Sequence, residues 1–431
     1  MTTAPTNLGP EMMALATRLY PICRSITGDG LRQTLRIIGE HIPLTYTEVP
    51  TGTLAFDWTI PNEWNLRRAT LRGPDGMVIA DTDVHTLHVV NYSEPMRGTF
   101  TLEELKTHLF SLPDKPGVIP YRTSYYSRTW GFCLRDDVLR TLPEGKYEVD
   151  IDTTLQPGSL TYAECGVKGE STDEVLFGCH CCHPSLANDN LSGIVVATGL
   201  ATWLRSRETK PRFTYRFLFN PGTIGSIAWL SRNVETTKRI RHGLVLSCLG
   251  DAGGMTYKKS RRDDAEIDRI VRQVLGATGN AHTVVDFSPY GYDERQYCSP
   301  GFNLPVGVLM RTPNGKYPEY HTSADNLNLL KESALLDSLT TLKRVVEVIE
   351  GNRTYVNTSP FCEPQLGKRG LYSNMGGSNK PPGFEMALLW VLNQSDGVND
   401  LLAISAKSGL PFETVRIAAD RLLAADLLRL S

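Results

Sequence analysis

Four side chains stand where chemistry could be done. His180 ends the apolar run Val175–Leu176–Phe177, which reads as a buried strand. Asp189 opens an apolar helical stretch marked by Leu191, Ile194, Val195 and Leu200. Asp251 follows a second apolar strand pattern, GLVLSCLG, and His321 lies in the loop YPEYHTSADN before a last long helix. Each falls just after a strand or at a helix start, so all four can meet at the carboxyl edge of an open α/β sheet, where such sheets hold their ligands. Two imidazoles and two carboxylates suit a zinc ion with one position left open, and a bridging carboxylate would let two ions share the site. Taken singly, a histidine at a strand end reads as structural and an aspartate before a helix as an N-cap. The order and context of all four favour the metal. Cys182 and His183 add donor types without knuckle spacing, and Cys182 with a neighbouring imidazole is a lesser, nucleophilic reading.

The elements that must position these groups follow from periodicity. Met12, Leu15, Leu19, Leu31, Leu35 and Ile38 recur at helical spacing over about residues 10–40, broken by Pro21 and the Thr27–Gly30 cluster. Residues 56–145 read differently, as short strand-like runs between Gly, Pro, Asn and Asp, which predicts a small inserted β-rich domain. Within it the aromatic loop IPYRTSYYSRTWGF carries Tyr125, Tyr126 and Trp130, placed to close over a sheet edge and touch substrate. From residue 146 apolar strands alternate with helices (190–205, 224–233, 265–275, 331–349). That alternation predicts a mostly parallel sheet covered by helices, built from residues 1–55 and 146–355. Residues 360–431 open on a linker, SNMGGSNKPPG, and continue as three short helices and a terminal Leu-rich strand, the pattern of a winged helix-turn-helix. Its recognition segment, FETVRIAADRLLAAD, has two Arg against one Glu and two Asp, so nucleic acid is not expected as a partner.

Composition narrows the class. The chain has 431 residues, 41% hydrophobic and 21% charged, with net charge −2, so no global field draws it to nucleic acid or anionic lipid. No apolar stretch reaches the roughly 18 residues of a membrane span. The first twenty residues lack a basic region followed by an apolar core, so no signal peptide is expected. Nine cysteines without framework spacing fit reduced thiols in a cytoplasmic protein.

The segments YPICRSITGDGLR, IPYRTSYYSRTWGFCL, HCCHPSLANDNLSG, SRRDDAEIDR, DFSPYGYDERQYCSPGFNLPVG and PEYHTSADNL span nearly the whole chain. Together they resemble the co-catalytic zinc aminopeptidase superfamily, whose fold includes glutaminyl cyclase. Closer still, they resemble bacterial aminopeptidase-like proteins with an inserted β-domain and a C-terminal winged helix. The resemblance implies that His180 and Asp251 hold one zinc with Asp189 as bridge, and that His321 helps hold a second. It also implies self-association and a place in surface-polysaccharide or small-molecule biosynthesis.

Two positions depart from the superfamily pattern. Cys182 stands where the aminopeptidases have an aspartate that orients the imidazole. After the strand FTYRFLF the superfamily carries a Glu pair and the closer relatives Pro-Glu-Thr-Ile-Gly-Ser, whereas this chain reads Pro221-Gly222-Thr223-Ile224-Gly225-Ser226. Gly222 removes a ligand and a general base, so one zinc is expected rather than two. A missing general acid or base typically costs about 10²–10⁴-fold in rate. Glu319 and Glu294 are the replacement carboxylates, and Arg295 and Tyr297 could meet a carboxylate or oxyanion. The expectation is a zinc-dependent enzyme acting on an amide or amino-acid-derived small molecule or peptide-like substrate. The alternative is a non-catalytic, cyclising or amide-forming relative that keeps the pocket.

Overall fold

The computed structural model describes residues 8–371 and 382–431, so the expected linker lies, up to Pro381, outside the described residues. The chain divides into two compact units, one of Met1–Asp268 with Ala281–Thr340, the other of Arg269–Asn280 with Thr341–Ser431.

The expected mostly parallel, helix-covered sheet is the heart of the first unit. Eight strands lie in the order Thr45–Pro50, Ser159–Val167, Thr214–Asn220, Glu174–His180, Ile240–Leu246, Val306–Met310, Met255–Lys258, His282–Val285. The three central pairings, from Thr214–Asn220 through Val306–Met310, are parallel, and antiparallel strands enter toward the edges. Glu174–His180 is buried at every residue, as a parallel strand covered on both faces must be. His180 pairs in register with Asn220, so the two strands finish side by side.

The helix Gly193–Arg205 behind them buries nearly all of its residues. It starts hard against the sheet: a Cβ at Gly193 would come within 2.6 Å of Leu246 O, so only glycine permits the approach. Pro21 and the Gly28 turn separate helices Leu8–Leu19 and Asp29–Gly39 as the punctuation predicts.

The small sheet inside the first unit has the order Val78–Asp81, Glu63–Arg72, Lys146–Gln156, Met96–Thr101. It reaches past the expected boundary at 145. Lys146–Gln156 alternates buried and exposed side chains and pairs with both Glu63–Arg72 and Met96–Thr101, so its ladder belongs to this sheet.

In the second unit, helices Phe384–Gln394, Leu401–Ser408 and Phe412–Ala424 pack around Leu388, Val391, Val415 and Leu422. The three-stranded sheet places Thr354–Asn357 between Asp396–Asp400 and Leu428–Leu430. No helix among the described residues is long and apolar enough to cross a membrane.

Candidate metal centre

Asp189 is the hub of the sheet's carboxyl edge. It lies in the irregular turn Ala187–Ser192 that leads into the long buried helix, and all six residues of that turn are buried. Its Oδ1 is 2.8 Å from His180 Nε2, and its Oδ2 is 3.0 Å from His321 Nε2. His183, three residues past the strand end, joins them: donor atoms of His180, His183 and Asp189 all lie within 4.8 Å of one another. His321 holds a positive φ of 55°, a conformation rare for a residue with a side chain and concentrated at functional sites.

Asn190 ties this turn to the strand ends. Its Nδ2 donates to Leu246 O at 3.0 Å and to His180 O at 3.2 Å, and its Oδ1 accepts Cys248 N. Asp325 fixes the turn from the other side, accepting the backbone N–H of Asn188 at 2.6 Å and of Asp189 at 3.1 Å. Burial lifts the Asp325 carboxyl to about 7 against those bonds.

The electrostatics suit a cation. Burial alone would raise the Asp189 carboxyl, but the imidazoles of His183, His180 and His321 outweigh it and hold it well below the usual carboxylate range. Burial pushes the His183 imidazole down to about 3, so it stands neutral with a lone pair to offer. An ionised carboxylate among imidazoles is a donor set that fits zinc.

Asp251 is not among the His180, His183 and Asp189 donors that lie within 4.8 Å of one another. The strand before it ends at Leu246, short of the apolar run, and Asp251 lies a further loop away. Its carboxylate accepts Asn188 Nδ2 at 2.9 Å, Gly253 N at 2.7 Å and Thr312 Oγ1 at 2.6 Å. It therefore braces the turn that carries Asp189.

The other sequence candidates divide in the same way. Tyr125 is close: its hydroxyl is 2.7 Å from that of Tyr121, whose ring lies 5.2 Å from both His183 and His321. Trp130 points into the small-sheet core, stacked on His108 at 3.8 Å with its ring against Phe100. Arg295 Nη2 donates to Thr223 Oγ1 at 3.2 Å, next to Gly222. Tyr297 is fully buried under the helix Ile224–Arg232, with its hydroxyl 3.3 Å from Ser226 Oγ. Glu294 is buried in an ion pair with Lys258 Nζ at 2.6 Å, and burial raises its carboxyl. Glu319 lies half-buried two residues before His321, its carbonyl accepting Thr322.

Gly222 faces the centre directly. A Cβ there would meet His180 Cβ at 3.6 Å and Cys182 Sγ at 3.7 Å, ordinary contact distances, and no positive φ forbids a side chain. Cys182 Sγ accepts Gly222 N–H at 3.3 Å, and burial pushes its thiol up to about 12, which argues against a thiolate nucleophile.

Sequence reasoning passed over an aromatic wall. Tyr292 stacks on His180 at 4.8 Å and donates its hydroxyl to Asp189 Oδ1 at 3.1 Å. Tyr320 stacks on His321 at 3.9 Å, and Tyr317 donates to Asp325 at 3.1 Å. The repeated tyrosines of SPYGYDERQY and YPEYH were the available signal. Arg24, from the PICRS segment, is buried and donates Nε to His183 O at 2.9 Å.

Comparison with known proteins divides the chain near residue 353. The family described as a domain of unknown function, DUF4910, matches residues 13–352, and a winged helix-turn-helix family matches residues 353–430. A protein of Clostridium acetobutylicum is 50% identical over 425 residues, 99% of this chain and 97% of its own. It carries the provisional name of a polysaccharide biosynthesis protein with an aminopeptidase-like domain. A crystal structure from the same organism, provisionally titled a peptidase, superposes with a TM-score of 0.92 at 48% identity, covering 98% of this chain and 96% of that one. A zinc aminopeptidase from Bacillus subtilis shares the fold, with a TM-score of 0.57 at 13% identity over 79% of this chain and 94% of its own.

Proposed function

The chain belongs to the DUF4910 family, and from its side chains we propose a zinc-dependent enzyme acting on the amide of a small, sugar- or amino-acid-derived molecule. One observation carries the reading: His180, His183 and His321 gather around a single buried, ionised Asp189 at the sheet's carboxyl edge. His180, His183 and Asp189 would hold one ion, with His321 on the second carboxylate oxygen. Zinc in that place polarises a carbonyl and so supplies the Lewis acid of the reaction. The protein supplies the rest. Tyr292 and His321 fix the Asp189 carboxylate from opposite sides. Asp325 and Asp251 hold the turn on which it sits. The rings of Tyr121 and Tyr320 pack on the His321 imidazole, which stays 34% exposed. The fold shared with the aminopeptidases supports amide chemistry, and the name of the Clostridium relative supports a biosynthetic, sugar-linked substrate.

Elemental analysis of the purified full chain tests this. About one zinc per chain is expected, falling to none in Asp189→Asn. Less than one divalent ion per chain after supplementation, in wild type, would refute it.

Gly222 favours a second reading, in which the pocket binds or joins amides without hydrolysing them, because position 222, which faces His180, carries no carboxylate to shuttle a proton. Gly222→Glu separates the two. A gain of peptide or amide hydrolysis together with a second equivalent of zinc marks a centre that had lost one part. A gain of zinc without turnover supports the non-hydrolytic reading.

A further inference from the structure

The second unit holds a cavity of about 630 Å³, a volume that takes a small organic molecule. Three stretches of that unit build it. They are residues 357–364, which follow the central strand Thr354–Asn357, the helix Phe384–Gln394, and residues 395–396 just beyond the helix end. Met386, Leu389 and Trp390 recur at helical spacing, so the helix gives the cavity one apolar face with an indole on it.

The polar lining has one buried and one exposed part. Ser395 is only 3% exposed, and its hydroxyl has no hydrogen-bond partner. A buried hydroxyl left unpaired is destabilising, and a ligand that bonds it removes that cost. Glu363 and Asp396 are the exposed part. The Asp396 carboxylate accepts the backbone N–H of Val398 at 2.9 Å and of Asn399 at 3.1 Å. Those donors hold its carboxyl below the usual range and bring no positive charge. Among the described residues that line the cavity, none is Lys, Arg or His. An anion would meet two like charges there and a cation two opposite ones. The carbonyl end of the helix, at Gln394, acts in the same sense, and so does the face of the indole.

We infer that this cavity is a binding site for a protonated amine carried on an apolar body. The ammonium N–H donates to the Ser395 hydroxyl oxygen and is favoured by the charges of Glu363 and Asp396. The apolar body lies against Met386, Leu389 and Trp390. A quaternary ammonium has no N–H and would leave the Ser395 oxygen without a donor, so the amine is one that keeps a proton on nitrogen. The site belongs to the second unit alone and goes beyond the zinc reading.

Three probes that share one ring test this: phenethylamine, 2-phenylethanol and phenylacetate, which end in an ammonium, a hydroxyl and a carboxylate. Binding to the full chain is read by saturation-transfer NMR at pH 7, in wild type and in Asp189→Asn. Phenethylamine should bind saturably and equally in both. It should bind about threefold or more tighter than the alcohol, the scale of an exposed charge pair, with the carboxylate weakest. Glu363→Gln combined with Asp396→Asn should bring amine and alcohol level, and asparagine keeps an oxygen for the Val398 and Asn399 N–H groups. Trp390→Leu should weaken the amine about fivefold. Cys362 lines the cavity and is the exposed cysteine of the described residues, so bound phenethylamine should slow its alkylation by iodoacetamide. The inference is overturned if phenethylamine shows no saturable binding or binds no better than phenylacetate. It is equally overturned if neutralising Glu363 and Asp396 changes nothing, or if Cys362 alkylates as fast with the amine bound. Loss of binding in Asp189→Asn would place the amine at the imidazoles and overturn it too.

Discussion

The two units bury different things. Among the described residues, every buried charged or imidazole side chain lies in the first unit: Arg24, His180, Asp189, Asp251, Glu294, Asp325 and others. Among the described residues the second unit buries hydroxyls and amides such as Ser395, Ser405 and Asn352, but no carboxylate, imidazole, amine or guanidinium. Its charges pair at or near the surface, as Arg416 does with Glu413 and Asp420. Burying an ionisable group is costly unless it is paired and hydrogen-bonded. A protein keeps such groups where they are used, and the sheet edge concentrates that cost while the winged helix avoids it. The second unit is built like a module whose core serves stability, and the first like a scaffold that spends stability on a site.

That contrast can be broken experimentally. The largest effect should come from Asp189→Asn, which removes the charge that three imidazoles face. Zinc affinity by competition with a chromophoric chelator should fall at least about 100-fold, a loss typical of disturbing a metal shell. Retained affinity would mean that the buried charge serves another purpose. Next, Leu422→Ala in the second unit's core should cost about 2–5 kcal/mol in denaturant unfolding of that unit and leave zinc affinity unchanged. A change in both would show that the two units do not divide their tasks.

Acid sharpens the contrast further. Burial holds His242 down to about 3 and His85 to about 4, and all nine histidines lie in the first unit. Between pH 6.5 and those values the unfolded chain binds protons that the folded chain does not. Stability of the first unit therefore falls as pH drops through that window, by up to about 1.4 kcal/mol per pH unit for each such histidine. Hydrogen exchange followed peptide by peptide from pH 7 to 4.5, corrected for intrinsic rates, should show the first unit losing protection before the second. The smallest effect belongs to Arg416→Ala, whose part-exposed ion pairs are worth about 0.2–1 kcal/mol each. A larger loss in thermal unfolding would show that the second unit's surface charges bear more than their exposure suggests.

Legibility followed the physics of each residue. The parallel sheet could be read because its strands are continuous apolar runs between helical periods. His180 and Asp189 could be placed because each stands at the end or start of such a run. Asp251 follows an apolar stretch that continues past the end of its strand at Leu246. Beyond Leu246 the chain turns, through a positive φ at Cys248, and hydrophobicity no longer reports direction. Lys146–Gln156 looked like the start of the large sheet because its alternation is the same whichever sheet it joins. Trp130 sat in a loop that suggested a lid, yet its ring fills the small core. Sequence spacing cannot say to which side a loop aromatic turns. Tyr292 and Tyr320 were hidden because tyrosine serves equally as filler, and only stacking on an imidazole tells the uses apart.

The shared register of His180 and Asn220 has one more consequence. Side chains alternate faces along a strand, so adding or deleting a single residue upstream in either strand alone would turn its terminal group to the opposite face while its neighbour stayed put. Descendants of this chain can exchange amino acids along both strands only within what the packed core accepts, and their lengths are locked together. Insertions that diversify the lineage must settle in the surrounding loops.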